Sequence, residues 1–429
     1  MRAGHGSVPL PVPDGTPLGG YAARVAPSDG ALAPLRVDCV SIAAGADRFL
    51  LVVAELAGVN TDLVAEIRRR TLSVPAPRVG TLPGGAGHAY PIAAPVGDAV
   101  WVCATHTHSG PDVGTQAGGG TTPATWLAAV AAAAAEAARL AVANETECVA
   151  AHHDGVLDGV GSRRGADDGD RRVPVDVLRF GPAGAPAGVL AVVPVHPTVL
   201  PASSSVVSGD LTAWIRDELR ARLGGSPWVV VATGAAGDVS TRWTRTEQTA
   251  GEGRRLAALA ADQLAALVAT PGRAWSADDG IDAARATLPL PVRHDDRDRL
   301  AGLRAEFTGR LAGLADGDPS GRAAVTALQG VEAAAGRSGA ATVPLELAAV
   351  RLGGLTLQGI GGEPFLSLRD VAAPSVLLGY ANGYAGYLPA AADFATPGYE
   401  VLISPFRPDA AERAAGVLHE LVHRTTHGG

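Results

Sequence analysis

Lysine is absent from the 429 residues of this chain, so arginine alone carries its basic charge. The 35 basic residues are outnumbered by 43 acidic ones, for a net charge of −8 at pH 7. No basic run stands against that balance, and a nucleic-acid binder would need a phosphate-neutralising stripe. Aromatic residues make up only 4%, so base-stacking platforms or a broad aromatic-lined lipid channel would have to be built from few residues. Cysteine is nearly absent too: Cys39, Cys103 and Cys148 form an odd, sparse set with no disulfide framework. Each lies in an apolar run, where a buried spectator thiol is the expectation, and the set fits a reducing compartment. The opening residues Met1–Gly6 lack the apolar core of a signal peptide, so a cytoplasmic location is expected. The longest tract of small apolar residues, Trp126 to Ala143, carries Glu136 and Arg139 and reads as a helix of a soluble domain, not a membrane span. The expected partner is a small molecule, with no nucleic acid and no stable membrane insertion.

What is present is enough to build a core. At 47% hydrophobic and 18% charged the chain is not disordered, and its length suits one large domain or two ordinary ones. Strand patterns fall at Arg36–Ile42, Phe49–Ala54, Ala99–Ala104, Glu147–Ala151, Val189–Val195, Trp228–Ala232, Leu345–Leu352, Thr356–Ile360 and Ser375–Leu378. Helix patterns fall at Asp62–Thr71, Pro123–Ala143, Leu211–Leu223, Gln248–Val268, Arg297–Leu314, Ala323–Ala335 and Ala410–Arg424. The alternation predicts an α/β fold of layered mixed sheets flanked by helices. A composition break near Pro271-Gly272-Arg273 is followed by a polar helical hairpin, and strands resume after it. A single domain over 1–429 with a helical insertion at about 293–340 is therefore expected, the hairpin being either a solvated appendage or a cover over the site.

Chemistry-bearing residues follow five of the strands. Val100–Ala104 runs into Thr105-His106-Thr107-His108-Ser109-Gly110-Pro111, and residues two apart in an extended chain share a face. Val192–Val195 runs into His196, and Val229–Ala232 into Gly237-Asp238-Val239-Ser240. Leu355–Gln358 runs into Gly362-Glu363-Pro364, and Val376–Leu378 into a Gly/Tyr-rich stretch containing Tyr380, Tyr384 and Tyr387. Ligands of open α/β sheets sit beyond the carboxyl ends of strands, and two imidazoles with a carboxylate suit zinc. Taken singly each segment is an ordinary loop; their convergence is the signal. A literal H-E-x-x-H, His419-Glu420-Leu421-Val422-His423, also occurs on the last helix. The same spacing fits an amphipathic closing helix that buries Leu418, Leu421 and Val422, and that reading is preferred.

The Thr105–Pro111 segment resembles the THTHSGP mark of the neutral/alkaline ceramidase family. Gly19-Gly20-Tyr21, His196-Pro197-Thr198, Gly237-Asp238-Val239-Ser240, Gly362-Glu363-Pro364-Phe365 and the pair Tyr387 and Tyr399 resemble further family segments in the same order. The resemblance is to the catalytic N-terminal domain, a short form without the family's immunoglobulin-like domain. It implies a zinc-dependent amidohydrolase in which His106, His196, Glu363 and Tyr387 bind the metal. It also implies that His108, Arg163 and Tyr399 surround the reacting carbonyl, with Arg164 following Arg163 directly, and that Ser240 is essential. Two mechanisms fit: attack by a zinc-activated water with Ser240 orienting the substrate, which is preferred, or attack by Ser240 itself. Glu55 stands where the family commonly has Asp, and Thr241-Arg242-Trp243 replaces its usual Pro-Asn, beside the site. The expected substrate is a small N-acyl molecule. The alternatives are ceramide itself, or acyl transfer or cyclisation at the same metal.

Overall fold

The computed structural model describes residues 1–72, 99–111, 113, 121–165, 169–312, 314, 318–337, 340–372 and 375–427. Its first sheet is built from β1 (Arg2–Leu10), β2 (Leu35–Ala44), β3 (Asp47–Ala54), β4 (Val100–Ala104) and β5 (Thr146–Glu147), in the order β4-β3-β2-β1-β5. β1 was not legible as a strand because Gly4, Gly6 and Pro9 dilute its pattern. Those glycines have a packing role. A Cβ on either would lie 2.1 Å from a carbonyl oxygen of α2 (Ala124–Ala143), at Ala141 or Ala137. The Ala-rich helix thus sits directly on the strand. It is long and apolar enough to cross a membrane, but buries Val130, Ala134, Ala137 and Ala141 against this sheet, alongside α1 (Thr61–Leu72).

The second sheet has the order β10-β9-β8-β6-β12, from β6 (Ala150–Asp158), β8 (Arg172–Phe180), β9 (Gly188–Val193), β10 (Trp228–Thr233) and β12 (Arg273–Trp275). Between them, β7 (Ser162–Arg163) pairs antiparallel with β11 (Val239–Ser240). The expected strand at Glu147–Ala151 is two strands in different sheets, and Pro174 hid β8. β9 and β10 are parallel and buried along both faces, as their unbroken apolar runs require. Their outer face is covered by α3 (Asp210–Leu223) and α4 (Ala250–Val268). Thr249 caps α4, its hydroxyl accepting the Glu252 amide at 3.2 Å. The composition break at Pro271–Arg273 leads into β12, which pairs with β6.

The third sheet, of order β13-β14-β15-β17, contains β13 (Ile281–Pro291), β14 (Thr342–Leu352), β15 (Leu355–Ile360) and β17 (Val376–Leu378). Between β13 and β14 lies the hairpin of α5 (Arg297–Leu311) and α6 (Pro319–Ala335). α6 starts earlier than expected because Asp318 caps it, accepting the Ser320 amide at 2.7 Å, with Pro319 at the first position. After β15 come β16 (Glu363–Pro364), α7 (Ser367–Ala372), β18 (Tyr387–Leu388), α8 (Tyr399–Ile403) and α9 (Ala410–His427). α9 covers the outer face of this sheet through Ala414, Leu418 and Leu421. The mixed α/β architecture expected from the sequence is what the chain adopts.

The inner faces of all three sheets meet in one core, where Ile42, Trp101, Phe180, Val192, Val350 and Leu357 are buried together. Trp101 is fully buried, set edge-on to Phe49 with centroids 5.5 Å apart, and a Cβ on Gly359 would touch it at 3.0 Å. Truncation there leaves a large void that three rigid sheets cannot close. Trp101→Ala should cost about 3–5 kcal/mol. A denaturation midpoint within experimental error of the wild type would contradict this account of the core.

Candidate metal centre

Strand ends from all three sheets are tied to one another by hydrogen bonds. The Thr233 hydroxyl donates to the Thr105 carbonyl at 2.8 Å, and the Gly379 amide donates to the Thr233 carbonyl at 3.1 Å. The Ala104 amide in turn donates to the Tyr380 carbonyl at 3.1 Å. Side chains leaving β4, β9, β15 and β17 are thereby brought to one buried point. The turn after β4 is strained, with His106 in the left-handed region at φ 66°, and Tyr380 (54°) and Asn382 (65°) share that conformation. A conformation costing about 1–3 kcal/mol in a bulky residue persists only where its surroundings enforce it, and it clusters at functional sites. Asn382 shows the enforcement: its Oδ1 accepts the Val102 amide at 3.0 Å, and its own amide donates to the Val102 carbonyl at 2.7 Å.

At that point His106 and His196 turn Nδ1 outward, to the carbonyls of Ala57 and Ala236. A carbonyl oxygen only accepts, so both Nδ1 atoms carry the proton and both Nε2 atoms face inward bare. The two Nε2 atoms are 3.1 Å apart, and Glu363 Oε2 lies 3.2 Å from His106 Nε2 and 3.0 Å from His196 Nε2. His108 Nε2 approaches His106 Nε2 at 3.1 Å. Among the described residues, His106, His108 and His196 form the group of nitrogens able to share an ion, all buried. Burial alone would raise the Glu363 carboxyl, but His106 and His196 hold it well below the carboxylate range. Burial, assisted by Arg164, lowers His196 to about 4, and burial with the two neighbouring imidazoles lowers His108.

An ionised carboxylate among inward-turned imidazoles calls for a positive charge between them, from a proton or from a cation. Ligand atoms bonded tetrahedrally at about 2.0–2.1 Å stand about 3.3 Å apart, close to the separations here. The residues therefore fit a divalent cation, and an N/O set of this kind suits zinc. His106, His196 and Glu363 are brought together as expected from the sequence. Tyr387 sits beside them, its ring stacked 6.2 Å from that of His196 and its hydroxyl 3.3 Å from an Arg164 nitrogen. Sequence reasoning missed Tyr384, whose hydroxyl donates to Glu363 Oε1, and Tyr380, which donates to Oε2 at 3.4 Å. Both lie in the Gly/Tyr stretch already singled out, where only the fold could show which phenols meet the carboxylate.

Two cavities meet beside this point, sharing His108, Tyr387 and Tyr399 in their walls. The first, about 450 Å³, is lined by His108, Ser240, Tyr387, Tyr399 and the inner side of α6. The second, about 640 Å³, is lined by His106, Glu363, Tyr384 and the loop around Leu18–Pro27. Ser240 is buried next to His196, to which its backbone bridges, and its hydroxyl accepts the Arg242 amide at 3.3 Å. Gly20, at φ +90°, presses on His108; a Cβ there would come within 2.5 Å of the imidazole. Tyr399 is held up to about 12, chiefly by burial, and so keeps its proton.

Arg163 is a correction. Its side chain is 47% exposed and pairs with Asp238 at 2.6 Å and Asp393 at 3.1 Å, outside the cavity lining. Arg164 instead lines the cavity, buried, with one nitrogen 2.9 Å from Glu400. Adjacent residues of an extended strand point to opposite sides, and the β7–β11 pairing sets which one faces in. The terminal H-E-x-x-H is not part of the centre: His419, Glu420 and His423 lie on the exposed side of α9.

No protein-family model and no curated protein matches the chain. Solved structures do. A ceramidase complexed with C2 superposes with a TM-score of 0.71 at 15% identity, over 99% of this chain and 75% of that one. The neutral ceramidase from Pseudomonas aeruginosa gives 0.67 at 15% identity, over 99% and 74%. The chain has the ceramidase fold.

Elemental analysis should find one divalent ion per chain, retained in His419→Ala and lost in His106→Ala. Metal kept by His106→Ala and lost from His419→Ala would move the site to the last helix.

Proposed function

We propose that the protein is a zinc-dependent amidohydrolase that cleaves the amide bond of a small N-acyl amine. The observation that carries the proposal is the pair of inward-facing Nε2 atoms beside Glu363, at the meeting point of two cavities. An amide has two halves, and a scissile bond placed at the centre gives each half a cavity of small-molecule size. The ceramidase fold supports the same reaction class.

His106, His196 and Glu363 would hold the ion, with Tyr387 and His108 at its edge. Bound zinc would supply Lewis acidity, polarising a carbonyl and bringing the pKa of a water to about 7. Tyr399, protonated, and Arg164, fixed by Glu400, stand in the cavity wall where they can donate to an oxygen that gains negative charge. Neutral His108 can take up a proton from the attacking water and pass it to the departing amine. Ser240 is placed to orient the substrate. Among the described residues its hydroxyl accepts from Arg242 and donates to none, so its proton is available to a substrate carbonyl. Water attack is favoured over serine attack because the metal supplies a nucleophile without a second base.

Release of free amine from a panel of N-acyl amides tests the reading: activity should vanish on chelation and return with zinc. Arg164→Met should lower kcat/KM about a hundredfold or more while zinc stays bound, and Arg163→Met should have a much smaller effect. An acyl ester trapped on Ser240 and seen by mass spectrometry would replace the water mechanism with the serine one.

A further inference from the structure

The first cavity carries charge opposite to that of the chain. Among the described residues, four arginines line it, Arg164, Arg242, Arg245 and Arg322, against two carboxylates, Glu400 and Asp318, in a protein of net charge −8. Arg164 is matched by Glu400 at 2.9 Å, and Asp318 is engaged in capping α6. Among the described residues, Arg242 and Arg245 have no such match. Arg242 donates to the Arg164 carbonyl at 2.8 Å, and Arg245 to the Thr198 carbonyl at 3.1 Å and the Thr241 hydroxyl at 2.9 Å. All three acceptors are neutral, and Nε of Arg245 is buried with no hydrogen-bond partner. Burial and the neighbouring arginines push Arg245 down to about 10 and lower Arg242 as well, a strain that a bound anion relieves.

The second cavity is different. Among the described residues its one arginine, Arg24, is spent on the carbonyls of Gly19, His108, Pro201 and Ala202, and Leu18, Val25 and Ile403 are among its apolar walls. The two sides of the centre are thus chemically distinct.

We infer that the substrate carries an anionic group, a carboxylate or a phosphate, on one side of the scissile amide, gripped by Arg242 and Arg245 beneath α6, with its uncharged half in the second cavity. The position of the amide rests on the hydrolase reading; the anion site does not. A ceramide has no such group, so the inference separates this chain's substrate from that of the enzymes whose fold it shares.

Calorimetry on the zinc-loaded full chain tests it with N-hexanoylglycine against its neutral carboxamide, N-hexanoylglycinamide. The acid should bind at least about tenfold tighter, and added salt should erode the difference. Arg242→Gln with Arg245→Gln should abolish the preference while zinc content stays at one per chain. N-succinyl-hexylamine reports whether the anion belongs to the acyl half, and the phosphate ester of N-hexanoylethanolamine reports whether phosphate is preferred. Equal binding of acid and carboxamide, or a charge preference that survives in the double variant, overturns the anion site even if amides are cleaved. If the double variant does not fold, the salt dependence of the wild-type preference decides. Charge-selective binding with no cleavage of any probe leaves the anion site standing and counts against the hydrolase reading.

Discussion

The Nε2 atoms of His108 and His196 and a carboxylate oxygen of Glu363, crowded to within 3.1–3.2 Å of His106 Nε2 in a buried site, call for a positive charge to join them. Everything around them is arranged to keep them there. Two backbone carbonyls fix the tautomers of His106 and His196, and two phenols donate to Glu363, one to each oxygen. His106 is kept in a left-handed conformation that a free chain would leave. An ion bound there would satisfy these atoms together, so ion affinity and folding stability would be linked.

That crowding is possible because three sheets share one core. No single sheet presents the site. β4 supplies His106 and His108, β9 leads to His196, and β15 and β17 lead to Glu363 and the tyrosines. The Thr105–Thr233–Gly379 and Ala104–Tyr380 hydrogen bonds lock the strand ends in register with one another, so a shift of one sheet would disperse the ligands. The stability of the packed core is in this sense the precision of the site.

Around the centre, charge divides the two cavities. α6, part of an insertion between two paired strands, turns its inner side to the arginine-lined cavity, so the hairpin is a cover and not a solvated appendage. Its small core with α8, formed by Phe307, Val331 and Leu402, anchors it over the site. Zinc chemistry would set what bond is cleaved, and these walls would set in which molecule.

The sequence by itself determined the local chemistry. Apolar runs ending in His, Glu or Ser marked the strand ends, because a buried strand must be apolar and its first polar residue marks where it leaves the core. The same logic separated Leu418 and Leu421, which are buried, from the exposed His419 and His423 of the terminal helix. Only the tertiary structure decided what depends on pairing across the chain. Arg163 and Arg164 are neighbours of one type, and the register of two short strands about 80 residues apart chose which faces inward. β1 was hidden because its glycines serve a helix more than a hundred residues away, and β13 because Pro289 and Pro291 break its pattern. The arginine cluster draws Arg242 and Arg245 from one loop, Arg164 from another and Arg322 from the hairpin. Periodicity reports which face a residue prefers; which distant faces meet is set by how the sheets pack.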